Sequence, residues 1–218
     1  MKTNECRLVI FDCDGVLVDS EVITNRVYVK MLNELGVTVT LEDMFERFVG
    51  RPMSYCWELV TDMLGRPLPE GLIEEYRVRT TAALEAELKA VRGIEATLDA
   101  LTAKHVPFCV ASSGTHEKMR TTLGITGLLP RFEGRMFSVT EVARAKPAPD
   151  VFLHAAGRNG IAPEACCVIE DSPTGVKAGV AAGMTVYGYC GLTPAHRLLE
   201  AGAHHTFSDM RLLSTLLL

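Results

Sequence analysis

The stretch Arg7–Glu21, RLVIFDCDGVLVDSE, decides how the rest of the chain is read. An apolar run, Leu8 to Phe11, ends in two aspartates one residue apart, Asp12 and Asp14, followed by Gly15 and further apolar residues. A short apolar run bounded by turn formers suits a strand covered on both faces. Two carboxylates this close repel each other unless positive charge lies between them. The pair is therefore either a plain turn, since Asp and Gly are turn formers, or half of a charged site completed farther along.

Similar apolar runs recur at 108–112 (FCVAS), 166–170 (CCVIE) and 184–189 (MTVYGY), with a weaker one at 135–139 (RMFSV). Helical patterns at 93–104, 115–123, 149–159, 173–182 and 194–201 separate them. This alternation predicts an α/β fold, a doubly wound Rossmannoid parallel sheet. The alternation fails between about 20 and 89, where amphipathic helices are expected at 21–35, 41–48, 53–64 and 70–88. Turn signals at Gly36, Gly50-Arg51-Pro52 and Gly65-Arg66-Pro67 punctuate that stretch. The expected organisation is a core formed by 1–17 and 90–218, with a small α-helical domain, 18–89, inserted after the first strand.

The composition is ordinary for a globular chain: 218 residues, 48% hydrophobic and 22% charged. A formal net charge of −5 leaves no broad basic footprint, so nucleic acid is not an expected partner. The longest apolar stretches fall short of the ~18 residues that a membrane span requires. No charged-then-apolar leader precedes the first strand, so no signal peptide is expected. Seven cysteines are scattered without metal-type spacing, several inside apolar runs where they act as small hydrophobes. These features predict a reduced, cytoplasmic protein. A monomer is expected, because no coiled-coil or apolar surface stripe is legible.

In a doubly wound sheet, functional groups collect at the carboxyl ends of the strands. Asp12 and Asp14 end the first strand, and Ser112, Ser113 and Gly114 end the second. Lys146, in AKPAPDVF, precedes a helix after the weaker strand, and Glu170 and Asp171 end another. Each has a plainer reading alone: a helix cap for Ser112-Ser113 or Glu170-Asp171, a solvated lysine for Lys146. Together they supply what phosphoryl transfer needs. One carboxylate attacks phosphorus, a second manages the proton of the leaving oxygen, and a cation with turn amides holds the phosphate oxygens. Clustered acids facing an anionic substrate call for a hard divalent cation, and Mg2+ with its oxygen ligands fits best.

The arrangement resembles the haloacid dehalogenase superfamily, in its phosphatase and sugar-phosphate mutase branch with a helical cap. DCDGVLVDS is similar to that family's first motif, Ser112 to the second, Lys146 to the third and EDS at 170–172 to the fourth. The resemblance implies that Asp12 is the nucleophile, forming an aspartyl-phosphate, and Asp14 the general acid and base. It implies Mg2+ held by Asp12, the backbone carbonyl of Asp14 and Asp171, with Glu170 accessory. Ser112, the amide of Ser113 and Lys146 would bind the phosphoryl oxygens, and Mg2+ with Lys146 would offset the charge of Asp12 and Asp14.

An acid two residues after the nucleophile points to phosphate esters, whose alkoxide leaving group needs a proton. In this branch the cap closes over the core and sets specificity. The mutases carry a histidine in the cap hinge where this chain has Thr24, and an arginine where it has Met53. Both departures favour transfer to water over a phosphoglucomutase-type phosphotransferase, and the intact Asp12, Asp14, Lys146 and Asp171 argue against an inactive phosphate-binding module. Arg51 is the cap residue expected to reach an anionic group at the far end of a substrate, ahead of Arg47, Arg77 and Arg79. The start of the cap, DSEVITNRVYVKMLNELGVT, is similar to bacterial hexose- and sugar-acid-phosphate phosphatases, including those acting on 6-phosphogluconate. The expected activity is hydrolysis of a small phosphorylated sugar, polyol or sugar acid.

Overall fold

The computed structural model describes residues 6–48 and 53–217, without the side chains of 45–47, 53 and 54. Contacts divide the chain into two compact units, Met1–Asp19 with Lys89–Leu218, and Ser20–Leu88.

The larger unit is built on a parallel sheet. The apolar run at the start forms β1 (Leu8–Phe11), and β2 (Phe108–Ser112), β3 (Met136–Ser138), β4 (Cys166–Glu170), β5 (Thr185–Tyr189) and β6 (His205–Phe207) follow in chain order. Their spatial order is β3-β2-β1-β4-β5-β6, and every pairing is parallel. Strands β1, β2 and β4 are buried throughout, as continuous apolar runs require when both faces are covered. On one face Leu8, Ile10, Ala111, Val168 and Val186 pack with Val151 and Phe152 of α8 (Asp150–Arg158), Val176 of α9 (Pro173–Ala181) and Leu198 of α10 (Ala195–Glu200). Phe11 and Phe108 point the other way and meet edge-on, and Phe132 of α7 (Leu129–Phe132) meets Phe108. Helices α5 (Ile94–Ala103), α6 (His116–Ile125) and α11 (Leu213–Leu217) complete the unit.

The smaller unit is helical: α1 (Glu21–Glu34), α2 (Leu41–Arg47), α3 (Met53–Leu64) and α4 (Leu72–Glu87). Thr40 starts α2 through a capping box with Asp43, each side chain accepting the other's backbone N–H. Its core gathers aromatic rings edge to face, with Tyr28 set 4.8 Å from Trp57, 5.2 Å from Tyr76 and 5.7 Å from Phe48. Arg77 pairs with Glu74, and Arg79 with Glu34 and Glu75, all on the surface of this unit. Arg51 lies outside the described residues, as do the side chains of Arg47 and Met53. Thr24 sits in the first turn of α1 and donates its hydroxyl to the Glu21 carbonyl.

Strand β6 is the strand the sequence hid, and the short helices α7 and α11 were not anticipated either. The strand is three residues long and begins with the exposed His205, so it offers no apolar run to read. The units divide after Asp19 and before Lys89, where the isolated bridge Val18–Ala90 and the Asp19 N–H to Lys89 carbonyl bond close the larger unit. No helix among the described residues is long and apolar enough to cross a membrane.

Candidate active site

The strand order reverses beside β1, with β2 on one side and β4 on the other. In doubly wound sheets ligands bind at such a switch point, beyond the carboxyl ends of the strands. Asp12 follows β1 there, and Glu170 and Asp171 end and follow β4. The Asp12 N–H donates to the Ile169 carbonyl, so the two strands stay in register to the point where the acids begin.

After Asp12 the backbone closes a tight loop: Leu17 and Val18 donate to the Cys13 carbonyl, and Gly15 donates to Val18. Gly15 has φ +78°, and a Cβ there would stand 2.1 Å from Asp171 Oδ2. Only glycine allows both this backbone conformation and this approach of the two acidic loops. Cys13 is buried with its thiol 3.9 Å from the Thr122 hydroxyl of α6, and burial pushes that thiol well up, with Asp14 and Asp12 adding to the rise.

Lys146 links the carboxylates. Its Nζ donates to Asp12 Oδ1 at 2.6 Å, to Glu170 Oε1 at 2.8 Å and to the Ala111 carbonyl at 3.0 Å, and it lies 4.6 Å from the Phe152 ring centre. The lysine is only 6% exposed. Burial alone would lower its ammonium, but Asp12 and Glu170 outweigh that and hold it above its ordinary value. Burial pushes the Asp12 carboxyl up to about 7, with Lys146 opposing the rise and Glu170 and Asp14 adding to it.

Glu170 is fully engaged. Its other oxygen accepts from the backbone N–H and the hydroxyl of Ser172, while Ser172 caps α9 by accepting the Gly175 N–H. Gly175 leaves room for this, since a Cβ there would fall 1.8 Å from Glu170 Oε1. Ser112 is buried and accepts the Gly114 N–H at 2.9 Å, and Ser113 is exposed beside it. Ser138, at the end of β3, anchors the same loop by donating to the Gly114 carbonyl.

Asp14 meets a cation that the sequence reading did not name. Its Oδ2 accepts from Lys118 Nζ at 2.6 Å, while Lys146 donates to Asp12, Glu170 and the Ala111 carbonyl. Sequence reading missed Lys118. The available signal was its place in the first turn of the helix that follows Ser112-Ser113-Gly114.

Asp12, Glu170 and Asp171 offer oxygens that all lie within 4.8 Å of one another. Three carboxylates against the one Lys146 ammonium leave two negative charges when all are ionised. An all-oxygen donor set with that residual charge fits a hard divalent cation.

Comparison with known proteins agrees with this geometry. A family model described as haloacid dehalogenase-like hydrolase matches residues 9–189. The chain is 38% identical over 183 residues to the 6-phosphogluconate phosphatase of Escherichia coli K12, covering 84% of this chain and 81% of that protein. It is 33% identical over 183 residues to hexitol phosphatase A of the same organism, covering 83% and 82%. Among solved structures, a conserved haloacid dehalogenase-like protein from Agrobacterium tumefaciens superposes with a TM-score of 0.87 at 35% identity, over 96% of both chains. With the family model spanning most of the chain and these relatives above 30% identity over four fifths of it, the chain belongs to the haloacid dehalogenase-like hydrolase family.

Proposed function

We propose that this chain is a Mg2+-dependent phosphatase that hydrolyses a small phosphorylated sugar, polyol or sugar acid through a phosphoryl group carried on Asp12. The observation that carries this reading is the division of labour between the two aspartates. Asp12 is tied to Lys146 within the acidic cluster, and the Asp14 carboxylate meets a second cation, Lys118.

Asp12 attacks phosphorus, and the bond from phosphorus to the ester oxygen breaks. Asp14 gives its proton to the departing alkoxide, which leaves as the alcohol. Water then attacks the phosphoryl group on Asp12, Asp14 takes the water's proton, and inorganic phosphate is released with Asp12 restored. Lys146 holds the negative Asp12 in place and offers positive charge where the phosphoryl oxygens gather, and Ser112 with the Ser113 amide lines the same pocket. Asp12, the Asp14 carbonyl and Asp171 would hold Mg2+, with Glu170 fixing Lys146 behind them. That ion supplies positive charge to the phosphoryl oxygens. The substrate class is supported by the names of the phosphatase relatives and by an acid at Asp14, which only a poor leaving group such as an alcohol requires.

Phosphate release from a panel of sugar, polyol, sugar-acid and nucleotide monophosphates, with Mg2+ and with chelator, tests the proposal. Release from a narrow set of carbohydrate esters, lost with chelator and lost in Asp12→Asn with the fold intact, is the expected result. Turnover retained by Asp12→Asn would sink the mechanism. Conversion of glucose 1-phosphate to glucose 6-phosphate without net phosphate release would make the chain a phosphotransferase instead.

A further inference from the structure

The contact between Lys118 and Asp14 is built by several elements. Thr115 caps α6 by accepting the Lys118 N–H at 3.2 Å, which fixes Lys118 in the helix's first turn. The Lys118 stem crosses over Gly114, where an added Cβ would stand 3.2 Å from Lys118 Cδ and 3.3 Å from Ser112 Oγ. Gly114 is itself held through Ser112 and Ser138. At the far end, the backbone of Asp14 is pinned by its bridge to Val18. The lysine therefore reaches from the loop after β2 to the loop after β1, and its ammonium ends 2.6 Å from Asp14 Oδ2.

An aspartate side chain that is 24% exposed has several staggered orientations open to it. Proton exchange with a leaving oxygen is fast only from the one that reaches that oxygen. We infer that Lys118 is a positioning residue for Asp14: it holds the Asp14 carboxyl group in a single orientation from which that group exchanges its proton with the leaving alcohol. Lys118 keeps its own proton throughout, and no bond to it forms or breaks. The inference rests on the phosphatase reading of Asp14. It also divides the two cations, since Lys146 serves the nucleophile and Lys118 serves the acid.

Steady-state kinetics of the full chain with Mg2+ test it, using wild type, Lys118→Met, Lys118→Arg and Asp14→Asn. Each is assayed on the fastest sugar-phosphate ester of the panel and on p-nitrophenyl phosphate, whose leaving group needs no proton. Lys118→Met should lower kcat and kcat/KM on the sugar ester together, by about 10- to 100-fold, with KM unchanged. Its kcat/KM on the aryl ester should fall less than about threefold, and Lys118→Arg should recover most of the loss, because a guanidinium can make the same contact. A rise in KM alone would make Lys118 a substrate-binding group and overturn the inference. An equal loss on both esters, or no loss, would overturn it as well. If Asp14→Asn loses no more on the sugar ester than on the aryl ester, the acid role of Asp14 fails, and that outcome is separate from a failure of Lys118 alone.

Discussion

Lys146 is buried against two carboxylates and an aromatic ring, which gives it a structural role beside the binding role proposed for it. Removing one partner of a buried, hydrogen-bonded charge group leaves the other without compensation, which costs about 3–5 kcal/mol. Lys146→Met, assayed by urea unfolding without metal, is therefore expected to lose about 3 kcal/mol of stability in addition to its activity. A loss under about 1 kcal/mol would show that Asp12 and Glu170 do not depend on the ammonium. The surface pairs of Arg77 and Arg79 are different in kind: each joins side chains at least a third exposed, and such pairs contribute little.

At the scale of elements, the site depends on how closely α9 approaches the end of β4. Ser172 serves both sides, capping the helix and donating to Glu170, and Gly175 supplies the space. Gly179 repeats the device one turn later, where a Cβ would meet Val186 at 2.7 Å. Helix propensity alone would favour alanine at 175 by about 1 kcal/mol. The clash with a buried carboxylate reverses that preference, since overpacking typically costs about 1–3 kcal/mol. Gly175→Ala should thus be destabilised by about 2 kcal/mol or more in urea unfolding, and Mg2+ binding should weaken with it because Glu170 must shift. A variant as stable as wild type would mean that α9 moves freely against β4.

At the scale of the molecule, the proposed cation site links stability, cation binding and pH through Asp12. Its carboxyl lies at about 7 against an ordinary 3.8, so between those values the metal-free folded chain holds a proton that the unfolded chain does not. This group then destabilises the metal-free fold above pH 7, and the loss is relieved as pH falls through the window. A cation held by Asp12 as proposed needs that carboxylate ionised, so protons compete with it: the apparent Kd for Mg2+ should rise about tenfold for each pH unit below 7. At a free Mg2+ concentration of about 100 times Kd the gain in stability is about 2.7 kcal/mol. Thermal midpoints against Mg2+ concentration at pH 8, 7 and 6 check both slopes. A Mg2+ gain that is the same at pH 6 and pH 8 would refute the linkage.

Most of the sheet was legible because a strand covered on both faces must be a continuous apolar run, as LVIF, FCVAS and CCVIE are. The helical insert was legible because its periodicity changes from strand to helix spacing and stays there. Strand β6 was not, because three residues at an edge with an exposed histidine need no such run. Asp12, Lys146, Glu170 and Asp171, which the structure brings together, stood out as charged residues at strand ends or, for Lys146, in the loop before α8. Which cation meets which carboxylate did not stand out, because contact across 104 residues of chain leaves no local pattern. The sequence determined the order of elements and the kinds of charge in the site, since burial and periodicity act along the chain. Only the tertiary structure decided the pairing of Lys146 with Asp12 and Lys118 with Asp14, because that depends on distances set by the packing of helices on the sheet.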